Sequence, residues 1–248
     1  MPKIGLQLYT LRAACARDFE AVLRSVGELG FDGVELFDLH GHAAADVRSW
    51  LDDFGLVSAG RHAGLAVLES DLPALADELD TLGTDRVALS WIDPPEDAED
   101  ARAVVRRIAA VAEDAHERGL RLGFHNHWSE LEALDGDLTT LDLLRALPAD
   151  RLWLELDLGW IWAAGVDPVE QLELTRGRCP LVHVKDLRSG PHHTPVGDGD
   201  VDYARVLPAA EAAGAEWLIV EQDEIEGEPL AAVARSLAAV RAMLGAPA

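Results

Sequence analysis

Eight short apolar segments alternate with helical stretches along the chain, and this repeat restricts the fold more than any other feature. The strand pattern falls at about Ile4–Leu8, Gly33–Phe37, Leu56–His62, Arg86–Trp91, the start of Leu120–Glu130, Leu152–Asp157, Leu181–Asp186 and Trp217–Asp223. Helical patterns cover about Asp18–Leu29, Ala43–Phe54, Leu72–Leu82, Ala98–Arg118, Leu138–Leu147, a stretch from Pro168, Tyr203–Ala213 and Pro229–Leu244. Gly30, Gly55 and Gly119 follow three of these, as helix ends favour. Pro168 suits a first helical turn. Strict alternation implies parallel strands joined by helices. Eight such units in 248 residues predict an α/β fold, a single-domain (β/α)8 TIM barrel over residues 1–248. A doubly wound open sheet is the competing topology. Its glycine-rich dinucleotide turn is missing after the first strand, where the chain reads YTLRAA.

Side chains alternate between the two faces of a strand, so each segment can be split into two rows. One row is apolar: Ile4, Leu6, Leu8, Val34, Leu36, Leu154, Leu156, Val182, Val184, Leu218 and Val220. The other is small or polar: Gly5, Gln7, Gly33, Glu35, Ser58, Gly60, His62, His125, His127, Glu155, Asp157, His183, Lys185, Glu221 and Asp223. An open sheet covered on both sides would bury these charges against apolar helices at high cost. A barrel gathers them at the C-terminal ends of its strands. The histidines agree: of nine, only His116 lies on a helix, and the rest fall at strand ends or just beyond.

The formal net charge of -24 repels phosphate backbones, so nucleic acid is not an expected partner. No apolar run reaches membrane-spanning length, and no basic segment with an apolar signal core opens the chain, so no membrane is expected and a cytoplasmic location is. Two cysteines, Cys15 and Cys179, imply no disulfide framework. A homo-oligomer is compatible with everything in the sequence.

Asp157, His183 and Glu221 end three neighbouring strands and should converge. A carboxylate–imidazole–carboxylate set suits one divalent ion, Mn²⁺ first, with Mg²⁺, Co²⁺ or Zn²⁺ as alternatives. Glu130 or His125 could supply a fourth ligand from the stretch LRLGFHNHWSE. The competing reading is a buried salt-bridge network without metal, disfavoured because converging carboxylates repel one another. Lys3 and Lys185 are the only lysines, and a chain that otherwise uses arginine keeps Lys185 two residues after His183. Asp157, Asp186 or Glu155 could hold its ammonium. There it would stabilise a developing oxyanion, shuttle a proton, or act as a plain ion pair.

The segments GLQLYTLR, GFDGVELF, FHNHWSELE, LELDLGWIWAAGVDP, LVHVKD, VGDGDVDYARVL and WLIVEQD together resemble the sugar phosphate isomerase/epimerase family of xylose-isomerase-like barrels. The resemblance implies metal ligands at Asp157, His183 and Glu221. It does not carry over on the fifth strand, where ketose epimerases have glutamate at the position of His125; Glu130 is then the expected ligand, with His125 and His127 either supporting the ligands from behind or acting as acid–base groups. It implies a small-molecule sugar or keto-polyol substrate and proton abstraction through an enediolate, with Glu221 or a histidine of the His-Asn-His group as base. Isomerisation, epimerisation, dehydration and keto-glycoside cleavage all remain open. Gln7, Glu35, His62 and Asn126 are expected to meet hydroxyls. Trp91, Trp128, Trp160 and Trp162 could pack on a sugar face, and Arg188 or His192 could meet a phosphate. Two rivals remain, a metal-dependent endonuclease and a non-catalytic sugar-binding barrel. The acidic surface, and Trp160 at a position where the endonuclease branch would need a histidine, count against the first.

Overall fold

Parallel strands close on themselves in a computed structural model that describes residues 1–189 and 192–245. The strands are β1 (Lys3–Gln7), β2 (Gly33–Leu36), β3 (Val57–Ala63), β4 (Arg86–Leu89), β5 (Arg121–His125), β6 (Ala133–Asp135), β7 (Leu138–Thr139), β8 (Leu152–Asp157), β9 (Leu181–Val184), β10 (Asp186–Arg188), β11 (His192–Thr194) and β12 (Trp217–Val220). The closed barrel runs β1-β12-β9-β8-β5-β4-β3-β2, while β6 with β7 and β10 with β11 form small antiparallel pairs outside it. This is the (β/α)8 architecture expected from the alternation. No helix among the described residues is long and apolar enough to cross a membrane. Both cysteines are free and buried.

Several strands stop short of the apolar pattern that announced them. Phe37, Ser90, Trp91 and Glu221–Asp223 lie beyond the last paired residues, already in the loops of the mouth. The fifth helix is Thr140–Arg145 rather than Leu138–Leu147, because Leu138–Thr139 pairs in a hairpin and Thr139 and Asp142 close a capping box. The chain leaves the barrel at Lys185, and Asp186 starts the β10–β11 hairpin. Asp186 itself accepts backbone N–H groups from Leu187, Gly197, Gly199 and Val201, so it organises the VGDGD loop.

The apolar row packs outward as expected: Ile4, Leu6, Val34, Leu36, Leu154, Leu156, Val182, Val184, Leu218 and Val220 all join the core under the helices. Inside the barrel, a second apolar group of Ala59, Ala88, Trp153, Leu181, Trp217 and Ile219 forms a plug beneath the polar residues. Its two indoles need room, and inward-facing glycines provide it. A Cβ on Gly33 would stand 2.8 Å from the Trp217 ring, and one on Gly123 would stand 2.5 Å from Trp153 Cζ2. Trp153 cannot easily retreat, since its Nε1–H donates to the Arg121 carbonyl at 3.0 Å. Gly123→Ala is therefore expected to destabilise the protein by roughly 1–3 kcal/mol, the usual scale of overpacking. An unchanged urea midpoint would show that the plug yields freely.

Candidate functional site

The mouth is built on strand ends, beginning with β5. Leu122 and Phe124 face the helices, which turns Gly123 and His125 inward. Past His125 the chain leaves the sheet, and Asn126 fixes its path. Asn126 Oδ1 accepts the Asp157 N–H at 3.0 Å, and Nδ2 donates to the His127 carbonyl at 3.2 Å. This ties the ends of β5 and β8 together and leaves Asn126 fully buried. Asp157 then caps the next helix, Leu158–Ala163, by accepting the Trp160 N–H at 2.9 Å through Oδ1. Its Oδ2 remains directed inward.

Two groups of potential metal ligands meet there. His125, Asp157, His183 and Glu221 offer ligand atoms all within 4.8 Å of one another, and so do His62, His125, Glu155 and His183. Every one of these side chains is buried. His183 belongs to both groups through its two nitrogens. Nδ1 lies 2.8 Å from Glu221 Oε2, and Nε2 lies 2.8 Å from Glu35 Oε2. A proton on Nε2 directed at Glu35 would leave the Nδ1 lone pair facing Asp157 and Glu221, the arrangement by which outer carboxylates orient metal-binding imidazoles. Asp157 Oδ2 faces the Lys185 ammonium at 2.9 Å, while His125 Nδ1 is buried without a hydrogen-bond partner. Such atoms are costly unless something else satisfies them. Two imidazoles and two carboxylates within reach of one point fit a divalent ion.

The electrostatics are those of crowded acids held by enclosed cations. Burial alone would lower the His183 imidazole, but Glu155, Glu221 and Glu35 outweigh it and push it well above its ordinary value. Burial would likewise raise Glu221, but Lys185 and His183 hold it well below the carboxylate range. Deeper in, Glu155 is raised to about 7 by burial and by the neighbouring Glu35. Beside it, the carboxylates of Glu35 and Glu155 overcome burial and lift His62 to about 10. His127 goes the other way: burial and the Lys185 charge lower it to about 3, so its ring is neutral.

Glu130 lies apart from the cluster, its carboxylate bonded to the loop that carries it. It belongs to neither ligand group. The chain enters a short 3-10 turn at Ser129, which points the Glu130 carboxylate back at its own backbone. Oε2 accepts the His127 N–H at 2.6 Å, and Oε1 accepts the Ser129 hydroxyl at 3.0 Å. His125 is the β5 side chain that reaches the cluster, and Glu130 shapes the loop that presents it.

Lys185 lies within a cluster of carboxylates. Its Nζ lies 2.9 Å from Asp157 Oδ2, 3.0 Å from Glu221 Oε2 and 3.0 Å from Asp223 Oδ2. Three acceptors surround an ammonium with three N–H groups, and the side chain is 1% exposed. Glu155 and Asp186, two of the expected partners, make no ion pair with it among the described residues. Tyr203 closes the region from behind, donating its hydroxyl to the Lys185 carbonyl at 2.7 Å.

Above the cluster opens a cavity of about 610 Å³ whose wall includes His62, His125, His127, Trp160, Glu221 and Asp223. His62 and Trp160 line this cavity. Gln7, Glu35 and Asn126 do not. Gln7 donates to Glu35 Oε2 at 2.8 Å and accepts the Tyr9 N–H, and all three side chains lie fully buried below the cavity. Trp91 and Trp128 line the opening, whereas Trp162 packs into the core beneath the helices. Arg188 donates to the Asp198 carbonyl, and neither it nor His192 lines the cavity. Tyr9, Phe37, Arg12 and Arg61 do line it and were missed. For Tyr9 and Phe37 a signal existed, since each stands two residues beyond an inward-facing one, Gln7 and Glu35, and so continues the inward row.

A family model described as xylose isomerase-like TIM barrel matches residues 23–243. The rhizopine catabolism protein MocC of Rhizobium meliloti is 25% identical over 253 residues, covering 85% of this chain and 77% of that protein. A sugar phosphate isomerase/epimerase from Parabacteroides distasonis superposes with a TM-score of 0.85 at 20% identity, covering 99% of both chains. An L-ribulose 3-epimerase superposes with a TM-score of 0.78 at 18% identity, over 99% of this chain and 95% of that one.

Proposed function

The chain belongs to the xylose isomerase-like TIM barrel family, and on that footing we propose that it is a divalent-metal-dependent isomerase or epimerase of an uncharged sugar or keto-polyol. The observation that carries this reading is the buried set His125, Asp157, His183 and Glu221 at the floor of an indole-walled cavity. These four residues would hold the ion, with manganese the first expectation. When bound, it supplies Lewis acidity to a carbonyl and an adjacent hydroxyl, which acidifies the neighbouring C–H.

The protein's own groups do the rest. Glu221 and His127 both line the cavity and can each take a proton. His127 offers a neutral imidazole there, its ring edge-on to Trp91 with centroids 4.9 Å apart. Its backbone N–H is anchored on Glu130, so the ring is delivered from a fixed point. Lys185 keeps Asp157, Glu221 and Asp223 in place behind the cavity. Trp160 shields that ion cluster, its ring 5.0 Å from the Lys185 ammonium. Returning the proton to another position gives isomerisation or epimerisation. The same abstraction followed by loss of a β-substituent gives a lyase.

Solvent deuterium exchange tests the proposal. Protein loaded with Mn²⁺ is expected to incorporate deuterium next to the carbonyl of at least one ketose or keto-polyol, read by proton NMR. Loss of about 10²–10⁴ in exchange rate in His127→Gln, with metal retained, would assign the proton to His127. Unimpaired exchange in that variant would assign it to Glu221. No exchange with any keto-sugar, keto-polyol or keto-glycoside would remove the reading. A new double bond or a released fragment among the products would turn it to the lyase.

A further inference from the structure

Three aromatic side chains stand exposed among the described residues: Tyr9 at 42%, Trp91 at 44% and Trp128 at 40%. All three line the cavity that opens over the ligand cluster. Scattered exposed apolar groups need no explanation, but rings gathered around one opening do. They come from the loops after three different strands, β1, β4 and β5, so no single helix face or loop sequence accounts for them. Each is braced from behind. Tyr9 meets the Phe37 ring edge-on at 5.4 Å, Trp91 meets His127 at 4.9 Å, and Trp128 meets Trp160 at 4.9 Å. Braced rings keep a fixed orientation and lose little conformational freedom when a ligand lies on them.

The cavity is therefore layered. Its floor carries His62, His125 and Glu221, whose side chains are nearly or fully buried. Its rim is aromatic and open. The whole measures about 610 Å³, within the range of about 300–1,000 Å³ that encloses drug-sized ligands, and larger than a single pyranose ring requires. The cations at and behind the wall are each engaged by the protein, Arg61 and Lys185 by carboxylates and Arg12 by backbone carbonyls and the Tyr9 ring. Arg12 donates to the Asp223 carbonyl at 2.7 Å and to the Tyr9 carbonyl at 3.1 Å, and Arg61 is paired with Glu78. Lys185 is enclosed by three carboxylates.

We infer that the rim is a second sugar subsite, and that the substrate is an uncharged glycoside of two rings. The ring bearing the carbonyl lies on the polar floor. The second ring lays its C–H face on Trp91 and Trp128, with Tyr9 opposite, the contact for which large amphipathic rings are suited. The inference rests on the reading of the floor as a carbonyl-sugar site, and it adds the size and charge class of what binds there.

Calorimetric titration of the Mn²⁺-loaded protein tests it with ketose pairs that share one ring. Fructose is compared with lactulose, turanose and isomaltulose, which attach a second ring at different positions, and with fructose 6-phosphate. At least one disaccharide is expected to bind about tenfold tighter than fructose, or about 1.4 kcal/mol. Trp91→Ala and Trp128→Ala, checked for an unchanged melting temperature, should each lower disaccharide affinity more than fructose affinity and so remove most of that advantage. Fructose 6-phosphate should bind no tighter than fructose. Equal affinity for fructose and all three disaccharides would overturn the subsite. So would an advantage that survives both tryptophan variants, or fructose 6-phosphate as the tightest ligand. A tryptophan-dependent disaccharide advantage without deuterium exchange would uphold the subsite and overturn the catalytic reading alone.

Discussion

His183→Ala and Asp157→Asn proteins, purified without chelator, are expected to hold less than about a tenth of the divalent metal of the parent chain, with turnover reduced by more than the 10–100-fold typical of outer-shell changes. His183 presents Nδ1 toward Glu221 and anchors Nε2 on Glu35, so its loss removes one ligand and the strut that orients it. It also leaves Glu35 and Glu155 facing each other with only His62 between them. Truncating one partner of a buried pair costs about 3–5 kcal/mol, so His183→Ala is the harsher variant. Asp157→Asn is gentler. The amide oxygen can still cap Trp160, so the shape survives while the charge is lost. Metal analysis by mass spectrometry and a melting curve on the same samples separate loss of the ion from loss of the fold. Full metal content in both variants would sink the assignment of the site.

The second large effect is expected at Lys185. Lys185→Met should lower the stability of the metal-free protein by roughly 3–5 kcal/mol, because Asp157, Glu221 and Asp223 lose the charge they share. The sign with respect to metal is opposite. An ammonium 2.9 Å from Asp157 and 3.0 Å from Glu221 repels a divalent ion on those same carboxylates. Removing it should tighten metal binding, so Mn²⁺ should raise the melting temperature of Lys185→Met more than that of the parent chain. Lys185→Arg keeps the charge but cannot place a flat, branched guanidinium among three oxygens arranged for one ammonium. Turnover in that variant should fall at least about a hundredfold, with metal retained. Near-normal turnover in Lys185→Arg would remove the residue from the mechanism. A smaller metal-induced shift in Lys185→Met than in the parent would refute the charge-sharing account.

What the sequence by itself determined is everything that depends on periodicity. Alternation of strands and helices specified a parallel closed sheet, since helical crossovers leave few other arrangements. The period of two along each strand separated Leu154 and Leu156 from Glu155 and Asp157, and Val182 and Val184 from His183, because burial against helices tolerates only the apolar row. Convergence of Asp157, His183 and Glu221 followed from their places at the ends of neighbouring strands.

What the tertiary structure decided is depth and pairing. Gln7 and Glu35 face inward as the alternation requires, yet they lie below the cavity, because height in a barrel depends on how neighbouring strands are staggered. The choice between His125 and Glu130 rested on a short turn after His127 that no periodicity marks. The three carboxylates around Lys185 come from β8 and from the loop after β12. Trp153 and Trp217 fill the lower barrel only because glycines on other strands, Gly123 and Gly33, leave space for them. Each of these depends on which residues of distant segments come to the same height, a property of the closed sheet and not of any one stretch of chain.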